Sequence, residues 1–103
     1  MIYKNNKGGH LIMDVLFRYS DSNFCAYLNY LGFKHVGFDI VEKRGNKPKV
    51  FLHFEGNKEE FINIYKNYQS NNISINLIEF GKSKNSILKT VREHLRNYLR
   101  NKK

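Results

Sequence analysis

The chain has 103 residues, a formal net charge of +9 and one cysteine. That length fits a single domain with a thin core, and one cysteine excludes a disulfide framework and a Cys-rich metal motif. No apolar run approaches the roughly 18 residues of a membrane span. The opening "MIYKNNKGGHLIMDVLF" has no long apolar segment and no small-residue cleavage site, so it predicts no signal peptide and a cytoplasmic protein.

Residues 1–10 are polar, contain Gly8-Gly9 and predict a flexible N-terminal arm; residues 11–101 form the single domain. In 11–19, Leu11, Met13, Val15, Phe17 and Tyr19 share one face at period two, with Asp14 and Arg18 on the other, which predicts a strand. Ser20-Asp21-Ser22 supplies N-cap oxygens for a short helix over 22–31, striped by Phe24, Tyr27, Leu28 and Leu31 and stopped by Gly32. Residues 34–42 and 48–55 predict a hairpin, with Val36, Phe38 and Ile40 inward on one strand and Val50, Leu52 and Phe54 on the other. Its turn is "KRGNK", with a Gly-Asn tip. Asn57 followed by Glu60 outlines a capping box before a helix to Gln69, striped by Phe61, Ile64, Tyr65 and Tyr68. Asn76 and Glu79 repeat the pattern before a last helix to Asn101. Its inward positions are Phe80, Leu88, Val91, Leu95, Tyr98 and Leu99, and Gly81 within "GKSKNS" marks 81–86 as the place for a kink or break. The fold class is α+β: a small antiparallel sheet with a basic hairpin packed on two or three helices.

The charge is not spread evenly. Residues 43–49 carry +4 and residues 82–103 carry +7, which leaves the remaining residues at −2. A+T-rich codon usage explains many lysines but not their concentration, and two basic patches on a slightly acidic body point to an anionic partner. At the hairpin, Lys43, Arg44, Lys47 and Lys49 are placed to meet phosphates. Arg44 is the candidate for a guanine edge, because guanidinium binds it through two hydrogen bonds, and Asn46 offers an amide to adenine while also suiting the turn. In the last helix Lys89, Arg92, Arg96 and Arg100 line one face, about a quarter-turn from the Leu88-Val91-Leu95-Leu99 seam, and Lys82 and Lys84 extend the basic tract. A solvated hairpin end and an ordinary amphipathic helix account for the same charges without any partner.

The pair of helices 57–69 and 77–101 beside a hairpin is the recipe of a winged helix, although "SNNISIN" is longer than a tight helix-turn-helix turn. Catalysis finds little footing. His35 and His53 are placed to face each other across the hairpin with Cys25 near, but zinc needs more ligands, and Cys25 reads as a small buried residue. No cofactor motif is present. Phe17, Tyr19, Phe38, Phe51 and Phe54, if exposed, are a further option for stacking unpaired bases, although aromatics at strand spacing are more often core; Phe51, set apart from Val50 and Leu52, marks a second buried face such as a dimer contact.

The segments "LFRYSDSNFCAYLNYLGFKHVGF", "VFLHFE", "FINIYKNY" and "ISINLIEFGKSKNSILKTV" resemble a family of small domains in Gram-positive bacteria, their phages and plasmids, over roughly residues 15–98. Tyr19 stands where threonine is more usual, and Ile75-Asn76-Leu77 replaces an Asp-Pro helix start. These motifs are structural and carry fold rather than chemistry. Size, basicity and Asn/Lys-rich style are also similar to the relaxosome accessory proteins of Gram-positive conjugative plasmids, dimeric winged-helix proteins that bind DNA at the origin of transfer. That resemblance implies a homodimer, double-stranded DNA and other conjugation proteins as partners, with Arg44 and Lys47 on a wing. The expectation is thus a winged-helix-like, non-enzymatic DNA-binding protein without a cofactor or membrane partner. Its alternatives are a protein-interaction module of a phage or plasmid and a small RNA-binding domain.

Overall fold

The computed structural model describes residues 14–102. The expected arm over 1–10, and Leu11 and Met13 at the start of the expected first strand, lie outside the described residues. The order is β1 (Asp14–Tyr19), α1 (Ser22–Tyr30), β2 (Gly37–Val41), β3 (Lys49–Asn57), α2 (Lys58–Gln69) and α3 (Leu77–Asn101). The strands form one antiparallel sheet in the order β1-β3-β2. Phe17 lies opposite Phe54, and Phe38 opposite Leu52, so one face of the sheet gathers the large apolar side chains.

Each helix starts where a short polar side chain satisfies a free backbone donor. Asp21 accepts from the backbone N–H of Asn23 and Phe24, Asn57 from Glu60, and Asn76 from Glu79. α1 is the buried centre. Phe24, Cys25, Ala26, Tyr27 and Leu28 are all buried, five consecutive residues, so the middle of this helix is enclosed on every side. α2 covers one flank, where Tyr65 and Tyr68 set their rings edge-on to Phe24 at 5.0 Å. α3 covers another, with Phe80 against Tyr30 and Ile87 in the core. Tyr30 also accepts the backbone N–H of Asn76, which ties the end of α1 to the start of α3.

Several expected details shift. β2 is shorter than expected, and Val36 and Phe38 are 61% and 43% exposed rather than inward. β2 is an edge strand, so its apolar side chains are only partly covered. Leu99 is 46% exposed, because the row of Ile87, Val91, Leu95 and Leu99 drifts by about 40° at each step of four and has left the body-facing side by its last member. No break occurs at 81–86: α3 is continuous from Leu77 to Asn101. Gly81 has open space around it, and Phe80 and Ile87 pack on the core from either side, so burial outweighs the roughly 1 kcal/mol helix cost of a glycine.

Gly56 is the tightest point in the packing. A Cβ there would lie 2.4 Å from Cε1 of Phe61, whose ring is fully buried, stacked on Phe17 and edge-on to Phe33. Gly56→Ala is therefore expected to destabilise the fold by about 1–3 kcal/mol, the scale of core overpacking, read as a lower urea midpoint at unchanged slope.

Candidate nucleic-acid interface

The hairpin loop spans residues 42–48, longer than the five-residue turn expected. Its tip is a β-turn in which Asn46 N–H donates to the Lys43 carbonyl at 2.9 Å. Gly45 has φ +84°, the left-handed value that a type II turn demands at its third position and that glycine adopts without strain. Lys43, Arg44, Asn46, Lys47 and Lys49 are all exposed. Asn46 thus closes the turn with its backbone and leaves its side chain outward.

On α3, Lys82, Lys89, Arg92, Arg96 and Arg100 are exposed and Lys84 is half-buried. Lys82 is paired with Glu79 one turn earlier at 3.1 Å. The row Arg92, Arg96 and Arg100 keeps its quarter-turn from the leucine seam, but the body-facing side centres on Ile87, on the other side of that seam, so the row lies about half a turn from the core. These arginines therefore point outward without interruption.

The two basic regions meet at one end of the molecule. Lys102 forms an ion pair with Glu42 at 2.6 Å, and Tyr98 donates its hydroxyl proton to the same carboxylate at 2.6 Å. Both contacts hold Glu42 below the ordinary carboxylate range, Lys102 first and Tyr98 second. One turn lower His94 stacks on Phe38 with ring centroids 3.6 Å apart. Burial there, and then the neighbouring His35, push His94 below the usual imidazole value. The last two turns of α3 are thus fastened along β2 through His94, Tyr98 and Lys102, and Arg96 and Arg100 lie on the far side of the same turns. Lys82 and Lys84 do not. At ~1.5 Å per residue, Lys82 lies about 27 Å along the axis from Arg100.

The outer face of the sheet carries a cluster that sequence reasoning missed. Arg18 of β1 reaches across β3 and binds Asp39 of β2 through both Nε (2.8 Å) and a terminal nitrogen. His53 of β3 donates from Nε2 to the same carboxylate. The guanidinium of Arg18 also lies over the Phe51 ring, 4.4 Å from its centroid. His53 therefore pairs with Asp39 rather than facing His35 and Cys25, because Gly37 is its direct cross-strand neighbour and leaves room for the ring. Cys25 is in the core on the opposite face, where its Sγ contacts the Tyr19 carbonyl and burial pushes the thiol up to about 12. Among the described residues, no group of three His, Cys, Asp or Glu side chains is placed to hold a metal ion, and no helix is long and apolar enough to cross a membrane.

Next to this cluster, between the hairpin loop and the sheet, is a cleft of about 480 Å³ lined by Val41, Lys43, Asn46, Lys47, Lys49 and Phe51. Phe51 and Val41 are its apolar lining, and Lys43, Lys47 and Lys49 bring three cations to it. The signal for it was partial: the alternation in β3 sets Phe51 apart from Val50 and Leu52, but only the register across all three strands brings Arg18 and Asp39 beside it.

No protein-family model, no curated protein and no solved structure matches this chain.

The Asp39 cluster makes a pH prediction. Hydrogen bonds from Arg18 and then His53 lower its carboxyl from 3.8 to about 2 in the folded state. The stabilisation it contributes is complete above the unfolded value and is lost as pH falls through the folded one. Asp39→Asn is expected to flatten the decline of the urea midpoint between those two values. An unchanged decline would show that the cluster does not persist in solution.

Proposed function

We propose that this chain is a non-enzymatic, cytoplasmic protein that binds double-stranded DNA, with the hairpin loop acting as the wing of a winged-helix-like fold. The observation that carries this reading is the fastening of Glu42 to Tyr98 and Lys102, because it sets Lys43, Arg44, Lys47 and Lys49 at the same end as Arg96 and Arg100. A polyanion that bends around this end reaches both groups, and each phosphate neutralised releases condensed counterions. Lys89 and Arg92 extend the contact along α3. Lys82 and Lys84 add to the general positive field rather than to the same contact.

Two features refine the docking. The start of α3 exposes Leu77 and Ile78, at 79% and 74%, and carries Glu79, so this turn is a poor reader of a major groove. Base reading is assigned instead to Arg44 at the loop tip, where its fork is free to take a guanine edge. The homodimer belongs to the same reading, supported by the exposed Leu77 and Ile78 and by the small core. The origin-of-transfer setting rests on the resemblance to relaxosome accessory proteins.

A gel-shift series against duplex DNA at rising salt tests it. Lys43→Ala with Arg44→Ala is expected to weaken binding and to lower the log–log salt slope by roughly 2, about 0.9 for each phosphate that is no longer neutralised. Unchanged binding would remove the loop from the interface. Arg44→Lys, which keeps the charge but not the planar fork, is expected to retain non-specific affinity and to lose discrimination between sequences.

A further inference from the structure

We propose that the cleft between the hairpin loop and the outer sheet face takes one unpaired nucleotide, its base stacked on Phe51 and its flanking phosphates held by Lys43, Lys47 and Lys49. This rests on the reading that the partner is a nucleic acid, and it names a target that a closed duplex does not offer. The protein then engages single-stranded or frayed nucleic acid at the loop.

The cleft has the chemistry for this occupant. Its lining includes an aromatic ring and three cations, with no acidic side chain among the lining residues. That pairing of a stacking platform with phosphate ligands is how unpaired strands are held without sequence preference. Asn46, also in the lining, adds a side-chain amide with both a donor and an acceptor for a base edge.

The platform is also braced. The guanidinium of Arg18 lies against the Phe51 ring, and Asp39 holds that guanidinium by two hydrogen bonds. His53 fixes Asp39 in turn. A ring held in this way loses little freedom when a base stacks on it, so more of the stacking energy appears as affinity. All helices lie on the other face of the sheet, so none covers the platform in the described residues. Phe51 is half-buried, with the guanidinium of Arg18 over its ring.

Fluorescence anisotropy on the full chain distinguishes stacking from charge. The probes are oligothymidylate, oligouridylate, an abasic strand of the same length and charge, and a blunt duplex. The native protein is expected to bind one or both base-bearing strands about tenfold more tightly than the abasic strand, the scale of one base–aromatic stack. The tighter of the two base-bearing strands identifies DNA or RNA as the source. Phe51→Leu is expected to erase that difference, with unchanged affinity for the abasic strand and the duplex and an unchanged melting midpoint. Equal binding of abasic and base-bearing strands by the native protein would overturn the proposal and leave the duplex reading standing, and this comparison needs no variant to fold. A difference that survives in Phe51→Leu would also overturn it. Failure of every probe to bind at moderate salt would overturn both.

Discussion

The burial of the middle of α1 on all sides is the constraint from which the rest of the arrangement follows. A nine-residue helix with five consecutive buried side chains is no amphipathic surface helix. It must be enclosed, and a chain of this length has only a sheet and two other helices to do so. β1 lies before it, β3 and β2 complete the sheet, and α2 and α3 close its flanks through Tyr65, Tyr68, Phe80 and Ile87. Aromatic rings do most of this closing. They suit a thin core because each one buries a large area for a single backbone position.

Enclosing one helix with two others places all three on a single face of the sheet. The opposite face is then left to polar and charged side chains, and the sequence supplies them in register: Arg18, Asp39 and His53 with Phe51 among them. The same arrangement sends α3 past the end of the sheet, where its last turns reach the hairpin. His94 on Phe38 and Tyr98 with Lys102 on Glu42 are the fasteners there. The basic loop is consequently not an isolated tip. It adjoins the end of a long helix whose Tyr98 and Lys102 hold it and whose arginine row lies around the far side.

Much of the fold was legible in short-range signals. Asp21, Asn57 and Asn76 cap the helices they were expected to cap, and the period-two runs of β1 and β3 are strands. These are local rules, acting over three or four residues. What failed was long-range. Nothing in β1 says that it pairs with β3 rather than β2, and so nothing announced that Arg18 would meet Asp39, 21 positions away. The inward side of α3 was misplaced for the same reason. Leu99 belongs to an apolar stripe by spacing, but which part of a stripe is covered depends on where the helix crosses its neighbours. Gly81 illustrates the reverse case, in which packing on both sides overrides a weak local preference. The basic residues themselves were identified from sequence, yet their grouping into near and distant sets required the contact of Glu42 with the end of α3.

The position of Cys25 has a practical corollary. The chain has no other cysteine, and this one is sealed in the core with a thiol too weakly acidic to supply thiolate at neutral pH. The native protein should thus be silent toward maleimide reagents while folded. A single cysteine introduced on the solvent side of the molecule would be the sole labelling point, so a fluorophore or spin probe can be attached at a chosen place with no background to engineer away.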